Sequence, residues 1–224
     1  MTTGITQLKL RTASGQPLNF VPDTVVVGGY TGRDRDAVEH HVTELAAIGV
    51  PRPDTIPAFY DVAVDSVTTA AAIEVTGAAT SGEVEPVLLY TDHRYYLTVG
   101  SDHTDRELET KSIHRSKAAC PKPIAATAID LGTDPSIVDW DEIRVASWVD
   151  GDRYQQGTLA KLLPISQVLA KWGTHADESS LVLFGGTLPL LDGGFRYGTH
   201  WRMSLEAPGH EPIEFTYQVT VRSC

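Results

Sequence analysis

Short strand-like segments follow one another along most of this chain, and few helix-forming segments separate them. Residues 214–221, Glu-Phe-Thr-Tyr-Gln-Val-Thr-Val, alternate polar and apolar side chains with the period of a strand that buries one face. A parallel α/β sheet needs a crossover helix between most strand pairs, and the chain lacks the helical segments for it. We therefore predict a mainly β, α+β fold: a mixed sandwich or roll with a few short helices at its edge.

The charge balance narrows the class of partner. The chain has 18 Lys and Arg residues against 29 Asp and Glu residues, which gives a formal net charge of −11. Nucleic acid is excluded as an expected partner because phosphate neutralisation needs a basic face. A small anionic substrate stays compatible with this composition, since a local site can oppose the overall charge.

The sequence also indicates a compartment. It opens on Met1-Thr2-Thr3-Gly4 without a signal peptide, and its apolar runs fall short of the ~18 residues of a membrane span. The two cysteines, Cys120 and Cys224, do not form a disulfide framework. We expect a cytoplasmic, reduced protein with no membrane partner, in which Cys120 is a small packed thiol.

A charged helix predicted over Asp34–Ile48 contains two adjacent histidines. Its apolar stripe consists of Val38, Val42 and Leu45. At about 100° per residue His41 falls inside that stripe, whereas His40 faces away. Glu44 lies three residues after His41, so its carboxylate can orient the imidazole, as in a general base. A partly buried histidine with a hydrogen-bond partner and no catalytic role has the same pattern.

Glu83-Val84-Glu85 places two carboxylates on one face of a predicted strand, about 6.5–7 Å apart along the chain. At ~4 Å and an effective dielectric constant of ~20, two such charges repel by on the order of 4 kcal/mol. A divalent cation between them removes this repulsion and uses both as oxygen ligands. The alternative is a pair of solvated acids on an exposed face.

Asp102 supplies a third carboxylate near the same pair. The strand Tyr95–Gly100 follows a predicted hairpin turn at residues 91–94, so antiparallel pairing brings Asp102 beside Glu83 and Glu85. Three hard oxygen ligands suit Mg²⁺, Mn²⁺ or Ca²⁺ better than zinc. The alternative role of Asp102 is to cap a helix predicted over Thr104–Lys111.

Two further segments offer polar groups. Lys117 lies among small residues before Pro121-Lys122-Pro123, whose prolines favour an extended segment, and it either faces inward or sits on an exposed loop. The glycines of Phe184-Gly185-Gly186-Thr187 permit a close backbone approach to a ligand, and Thr187 adds a hydroxyl. A plain turn has the same composition.

Taken in order, these motifs resemble those of the fumarylacetoacetate hydrolase family over most of the chain, from about Val25 to Val221. The segments that carry the resemblance are Gly29-Tyr30 through Leu45 (similar to G-x-N-Y…H-x-x-E-L), Pro53 to Phe59, Glu83-Val84-Glu85 (E-x-E), Gly100 to Glu107 (G-Y-T-x-x-N-D-x-T-x-R-D), Lys117, Ile143 to Thr158 (L-R…V-N-G-x-x-x-Q-x-x-x-T) and Leu183 to Thr187 (L-x-x-G-T-P).

The resemblance, to a divergent branch of that family, implies a fumarylacetoacetase-like mixed β-sandwich roll in one domain over residues 1–224. N-terminal strands and a lid helix would occupy about 1–60, and the catalytic roll about 61–224. The roles implied by the resemblance are catalysis by His41, Glu44 and Lys117, metal binding by Glu83, Glu85 and Asp102, and substrate binding by Gln155 and Thr187.

The implied activity is that of a metal-dependent hydrolase or lyase with Mg²⁺ or Mn²⁺ as cofactor. It would break a carbon–carbon bond in a 2-keto or β-diketo acid of the acylpyruvate type, through an enolate stabilised by the metal. A decarboxylase, isomerase or dehydratase of a 2-keto acid on the same site is the alternative, as is a protein that binds a metabolite without catalysis. The resemblance also implies a homodimer, and the sequence adds a physical reason, because apolar strand edges are usually covered.

Overall fold

The computed structural model describes residues 7–47, 49–173 and 179–222 of the protein and, for His41, the backbone alone. The strands are, in chain order, β1 (Leu8–Thr12), β2 (Pro17–Phe20), β3 (Thr24–Gly29), β4 (Ala58–Asp61), β5 (Val67–Thr68), β6 (Ala72–Val75), β7 (Thr80–Ser81), β8 (Val84–Thr91), β9 (Arg94–Ser101), β10 (Thr104–Asp105), β11 (Lys122–Pro123), β12 (Thr127–Gly132), β13 (Arg144–Val149), β14 (Asp152–Thr158), β15 (Leu181–Phe184), β16 (His200–Glu206) and β17 (Ile213–Val221).

The helices are few and short. They are α1 (Arg35–Ala47), α2 (Arg106–Glu109), α3 (Ile113–Ala118) and α4 (Ile165–Trp172), with single 3₁₀ turns at Val64–Ser66, Pro135–Ile137, Trp140–Glu142 and Leu159–Lys161. Strands make up 43% of the structure and helices 20%, so the predicted mainly β, α+β class is confirmed. Among the described residues, no helix is long and apolar enough to cross a membrane.

Two mixed sheets form the sandwich. The larger has the strand order β2-β1-β12-β9-β8-β15-β3-β4, and the smaller has the order β14-β13-β16-β17-β6. Neighbouring strands are antiparallel except in the pairs β1–β12, β15–β3 and β17–β6. Side chains of β8 and β9 from the larger sheet contact β13, β16 and β17 of the smaller one, and the main core lies between them.

The hairpin β8–β9 runs through the centre of the larger sheet. Its turn residues Asp92 and His93 both have positive φ, 49° and 58°, as the two-residue turns of twisted hairpins require. The hairpin turn predicted at residues 91–94 is therefore confirmed. Every residue of β8 is buried, because its side chains alternate between the core under the smaller sheet and a second core on the opposite face.

The helix α1 lies close to its predicted position, and α4 lies close to a helix that the sequence predicts over Leu163–Trp172, ended by Gly173. The Oδ1 atom of Asp34 accepts hydrogen bonds from the amides of Asp36 and Ala37, at 3.0 and 3.1 Å, and so caps α1. Gly173 ends α4 in the left-handed conformation, with φ +73°. Local capping chemistry was therefore sufficient to locate both elements.

The stretch between β9 and β12 differs from its prediction. The single helix predicted over Thr104–Lys111 is instead the short α2, capped by Asp105, whose Oδ1 accepts from the amides of Glu107 and Leu108. Asp102 is thus not a cap. A second short helix, α3, precedes the prolines, because Pro121 and Pro123 constrain only the residues next to them. Lys117 accordingly lies on a helix rather than in an extended segment.

Candidate active site

Three carboxylates converge at the open end of the β8–β9 hairpin. One oxygen from each of Glu83, Glu85 and Asp102 lies within 4.8 Å of the other two. The hairpin register pairs Glu85 with Gly100, and the Asp102 amide donates to the Glu83 carbonyl at 3.0 Å, which places Asp102 opposite the glutamates. Glu85 and Asp102 are buried, and the Glu83 side chain is 14% exposed. The structure therefore assembles the three predicted metal ligands in one place.

Asp102 contacts two buried ammonium groups. The Lys117 Nζ atom donates to Asp102 Oδ2, and the Lys122 Nζ atom lies 3.1 Å from Oδ1. Burial alone would raise the pKa of Asp102, but the two lysines hold it below its usual value. Burial would lower the pKa of Lys117, but the charges of Asp102, Glu83 and Glu85 raise it. Lys117 therefore faces inward, which was one of its two predicted placements.

Glu85 is the least compensated acid of the cluster. Its Oε2 atom accepts a hydrogen bond of 2.8 Å from the Gly186 amide. Burial and the neighbouring charge of Asp102 nevertheless raise the pKa of Glu85 well above its usual value. The carboxylate thus favours either a proton or a cation beside it.

Arg106, on the first turn of α2, holds the outer side of the cluster and was missed by the sequence analysis. Its Nη2 atom lies 3.3 Å from Glu83 Oε1, and its Nη1 atom donates to both oxygens of Glu109. Its Nε atom donates to Ser81 Oγ at 2.6 Å, and the Phe195 ring covers the guanidinium, with its centroid 4.0 Å from Cζ. Arg106 thus offsets the charge of the Glu83 carboxylate through an ion pair, while its hydrogen bonds to Ser81 and Glu109 hold the guanidinium in place.

The donor set fits a divalent cation. Within the described residues the centre joins four carboxylates to three cationic side chains: Glu83, Glu85, Asp102 and Glu109, with Arg106, Lys117 and Lys122. With all of them ionised, one negative charge is uncompensated. Hard carboxylate oxygens around a deficit of positive charge match the preference of Mg²⁺ or Mn²⁺ rather than that of a soft metal.

Gln155, on β14 of the smaller sheet, is buried and hydrogen-bonds to residues at this end of the larger sheet. Its Oε1 atom accepts from the Val84 amide at 2.9 Å and from Ser147 Oγ at 3.0 Å. Its Nε2 atom donates to Thr187 Oγ1 and to the Leu188 carbonyl, both at 2.7 Å. These bonds use the full hydrogen-bonding capacity of the amide. The substrate contact proposed for Gln155 stays a prediction, and its observed contacts position the strand that carries Glu85.

Thr187 completes the same connection. Its hydroxyl donates to the Val84 carbonyl at 2.9 Å. The preceding Gly186 has φ +97°, and a side chain there would overlap the Thr31 hydroxyl. The glycine therefore allows the loop after β15 to pack against the segment before α1 while its amide reaches Glu85. The role of Thr187 toward substrate also stays a prediction.

The helix α1 lies at the edge of the molecule. Val38 and Val42 are buried, as the predicted stripe requires. His40 is exposed, and its Nε2 atom lies 3.3 Å from Glu44 Oε1, so Glu44 contacts the histidine that was expected to face away. The side chain of His41 lies outside the described part of the structure, so the His41–Glu44 pair stays a prediction.

Two tyrosines near Lys117 were also missed. Tyr60, at the end of β4, has its ring centroid 6.0 Å from the Lys117 Nζ atom. Burial raises the pKa of Tyr60 to about 12, and burial also raises that of Tyr30, which has a left-handed backbone with φ 57°. Both phenols therefore remain hydrogen-bond donors at neutral pH. Tyr30 stands within a predicted motif, but its backbone conformation could not be inferred from it.

A neutral polar layer lies beneath the acids. His103 is buried, and its ring nitrogens lie 3.0 Å from the Tyr217 hydroxyl and 2.9 Å from Thr80 Oγ1. Burial and the charges of Lys122 and Arg106 lower the pKa of His103 to about 3, so the ring is uncharged. The layer supports the ligands without adding charge to the cluster.

Several solved structures share the overall architecture of this chain. A proposed fumarylacetoacetate isomerase/hydrolase from Oleispira antarctica superimposes with a TM-score of 0.65 at 18% identity, over 95% of this chain and 99% of the other. The 5-carboxymethyl-2-hydroxymuconate delta-isomerase of Mycobacterium smegmatis gives 0.61 at 16% identity, over 91% and 80%. A 2-keto-3-deoxyarabinonate dehydratase gives 0.56 at 17% identity, over 91% and 75%. The chain thus has the fumarylacetoacetate hydrolase fold predicted from its motifs.

Sequence comparison then identifies the family. The chain belongs to the family described as protein of unknown function DUF2848, whose model matches residues 28–217. None of the curated proteins matches the sequence significantly. The matched residues include the histidine helix, the three carboxylates, both buried lysines and the Gly186 loop. The candidate site therefore lies within the part of the chain that defines the family.

Proposed function

We propose that the protein is a metal-dependent enzyme that hydrolyses a carbon–carbon bond in a small 2-keto or β-diketo acid of the acylpyruvate type. The observation that carries this proposal is the convergence of Glu83, Glu85 and Asp102 beside the buried ammonium of Lys117. One neighbour of the same fold is named a 2-keto-3-deoxyarabinonate dehydratase, and this name supports the substrate class. The reaction itself rests on the chemistry of the side chains.

Glu83, Glu85 and Asp102 would hold Mg²⁺ or Mn²⁺. A divalent cation bound there supplies Lewis acidity toward negative charge that develops on a keto or carboxylate oxygen of the substrate. The protein contributes the rigid placement of its ligands. Arg106 forms an ion pair with Glu83, the Gly186 amide hydrogen-bonds to Glu85, and the two lysines orient Asp102.

Lys117 is the group that would contact the substrate. Its ammonium reaches Asp102 from the side of the cluster that also faces Tyr60, so it can donate to an oxygen on which charge forms. His41, on α1, would accept a proton from the attacking water, with Glu44 as the group that orients it. Closure of α1 over the bound acid would exclude other water from the site.

Decarboxylation, isomerisation or dehydration of a 2-keto acid is the alternative on the same site, because each passes through similar developing charge. One observation supports these alternative reactions. Glu44 contacts His40 in this structure, so the His41–Glu44 pair that would activate water has to form when substrate binds. The neighbours of the same fold include an isomerase and a dehydratase. A protein that binds a metabolite without turning it over would retain the metal site but show no turnover.

A panel of acylpyruvates, followed by loss of the enol absorbance in the ultraviolet, tests the proposal. We expect turnover with Mg²⁺ or Mn²⁺ that is lost after chelation and restored by the metal. Product analysis separates the reactions, since hydrolysis yields two acids whereas decarboxylation releases carbon dioxide. Binding of pyruvate or oxalate without turnover of any member of the panel would favour the non-catalytic alternative.

We further propose that the chain forms a homodimer and that the molecule it binds is a small anionic substrate. The support is physical. Among the described residues, the outer strands β2 and β4 of the larger sheet and β14 and β6 of the smaller sheet each have a neighbouring strand on one side only. Proteins usually cover or pair the backbone groups of such edge strands. A stable two-fold interface would bury at least ~1,000 Å². Light scattering at micromolar concentration tests this, and a mass of one 24.3 kDa chain would contradict it.

A further inference from the structure

Lys122 is a second buried lysine at the site, and the proposed reaction does not use it. Its side chain has no measurable exposure. The Nζ atom donates to the carbonyl of His103 at 2.6 Å and to the carbonyl of Lys117, and it lies 3.1 Å from Asp102 Oδ1. Three acceptors match the three protons of an ammonium group, so its hydrogen-bonding capacity is used entirely within the protein.

The local fold directs this side chain inward. Lys122 and Pro123 form β11, which pairs in parallel with Val67 and Thr68 of β5. Proline on either side of Lys122 restricts the backbone to an extended form. A conformationally restricted segment therefore holds the Lys122 ammonium at Asp102 Oδ1, whereas Lys117 reaches Oδ2 from a short helix.

The carbonyl of Lys117 is the key contact. It belongs to the last turn of α3, where carbonyl groups have no partner within the helix. Lys122 fills that position, and a cation at a helix end is also favourable electrostatically. One ammonium group thus bonds at once to the carboxylate of Asp102 and to the backbone that carries Lys117.

We propose that Lys122 is a positioning residue that fixes the Asp102 carboxylate and the Lys117 backbone relative to each other. The inference rests on the proposed function, since it assigns Asp102 to the metal and Lys117 to the substrate. Among the described residues, the Lys117 ammonium donates a hydrogen bond only to Asp102, so two of its three protons are available to a ligand. Lys122 stays in place and keeps Asp102 aligned when Lys117 moves.

The test compares two variants of the whole protein, Lys117→Met and Lys122→Met. Each removes one ammonium group from one oxygen of the same carboxylate, so the change in charge is matched and the difference between them reports positioning. Calorimetric titration with Mn²⁺ should show at least ~10-fold weaker binding to Lys122→Met than to Lys117→Met, the range typical of supporting residues around a metal. Equal affinities would overturn the inference while leaving the metal site intact.

A readout without metal separates this inference from the proposed function. In the metal-free protein, amide hydrogen exchange at residues 101–105 and 113–119 should be about 10-fold faster in Lys122→Met than in Lys117→Met, with the β13–β14 hairpin unchanged in both. If the wild-type protein fails to bind Mn²⁺, the proposed function is wrong and the exchange data alone decide on Lys122. Equal exchange in the two variants would then overturn its positioning role.

A second pair of variants covers the case in which Lys122→Met does not fold. Lys122→Gln keeps an amide that can donate two of the three hydrogen bonds, and Lys117→Gln is its matched partner. The same order is expected in both measurements, with a smaller difference than for the methionine pair. A glutamine pair without any difference would overturn the inference.

Discussion

The β8–β9 hairpin and the helix α1 carry the two halves of the proposed chemistry, and they are built in opposite ways. The hairpin is buried along β8, and its register and surrounding hydrogen bonds hold the three carboxylates in place before any ligand arrives. The helix packs on the body through Val38 and Val42, while its charged residues face solvent. Metal binding is thus preorganised, whereas the proposed base lies on a peripheral element.

The difference has a physical reason. Buried like charges need fixed partners, because leaving one uncompensated in the interior costs several kcal/mol. Arg106, Lys117, Lys122 and the Gly186 amide supply most of this compensation at the hairpin, and one negative charge remains for a cation. Exposed side-chain contacts such as that between His40 and Glu44 contribute little to stability, so they do little to hold α1 in one position.

The largest effect is expected from Glu85→Gln, which removes a negative charge from the carboxylate cluster on the β8–β9 hairpin. Mn²⁺ should bind at least ~100-fold more weakly, since one of three anionic ligands is lost. The metal-free protein should melt at the same or a higher temperature, because a buried like-charge repulsion is removed. Calorimetry and thermal melting measure both quantities. Unchanged Mn²⁺ affinity would show that the three carboxylates are not the metal site.

The matched control for that variant lies on the other half. Glu44→Gln removes the same kind of charge from an exposed position on α1. It should leave the Mn²⁺ affinity within about twofold of the wild type, because screened surface charges act weakly at a distance. Equal losses of Mn²⁺ affinity in Glu85→Gln and Glu44→Gln would contradict the assignment of metal binding to the hairpin rather than to the helix.

The next effect concerns the two adjacent histidines. His41→Ala should lower turnover by about 10²- to 10⁴-fold, the usual contribution of a general base, without changing the affinity for Mn²⁺. His40→Ala should alter turnover by less than about twofold, as expected for an exposed surface residue. Steady-state kinetics on an active acylpyruvate measures both. Full activity of His41→Ala together with an inactive His40→Ala would assign the base to the exposed histidine.

A smaller effect is expected at Gly186, which contacts both Glu85 of the hairpin and Thr31 in the segment before α1. Gly186→Ala should destabilise the protein by about 2–5 kcal/mol, since the new side chain combines a left-handed backbone with overlap of the Thr31 hydroxyl. Gly193→Ala is its control, because it also has a positive φ, +70°, but open space around it, and about 1–2 kcal/mol is expected. Urea unfolding of the metal-free protein measures both, and equal costs would show that the packing against Thr31 is unimportant.

The last effect, which develops only as the pH falls below ~6.5, is a dependence of stability on pH through His103. Its pKa is about 3 in the folded protein against an ordinary 6.5, so the unfolded chain binds more protons between these values. Its contribution to stability is therefore complete above pH ~6.5 and falls by up to about 1.4 kcal/mol per pH unit as the pH drops toward 3. His103→Gln should show a shallower decline in urea unfolding at successive pH values. An equally steep decline in the variant would assign the acid sensitivity to other groups.

Motifs with short-range geometry were the most predictable part of the site. Glu83-Val84-Glu85, the hairpin turn at 91–94 and Asp102 together implied the carboxylate cluster, because strand alternation and antiparallel pairing are local rules. The helix α3 was missed, since the prolines that follow it dominated the local pattern. Arg106 was missed as well, because an arginine after a cluster of acids usually belongs to a solvated helix end.

The sequence by itself determined the β-rich class, the position of α1 and the identity of the three acids, because these depend on periodicity, capping and spacing within a few tens of residues. Only the tertiary structure decided which cations compensate the acids. The side chains of Lys122 and Arg106 and the Gly186 amide reach the cluster from three separate segments, and their local sequence does not show that they meet there. Charge compensation in a protein interior is set by which chain segments pack around the charge, and that information is not local.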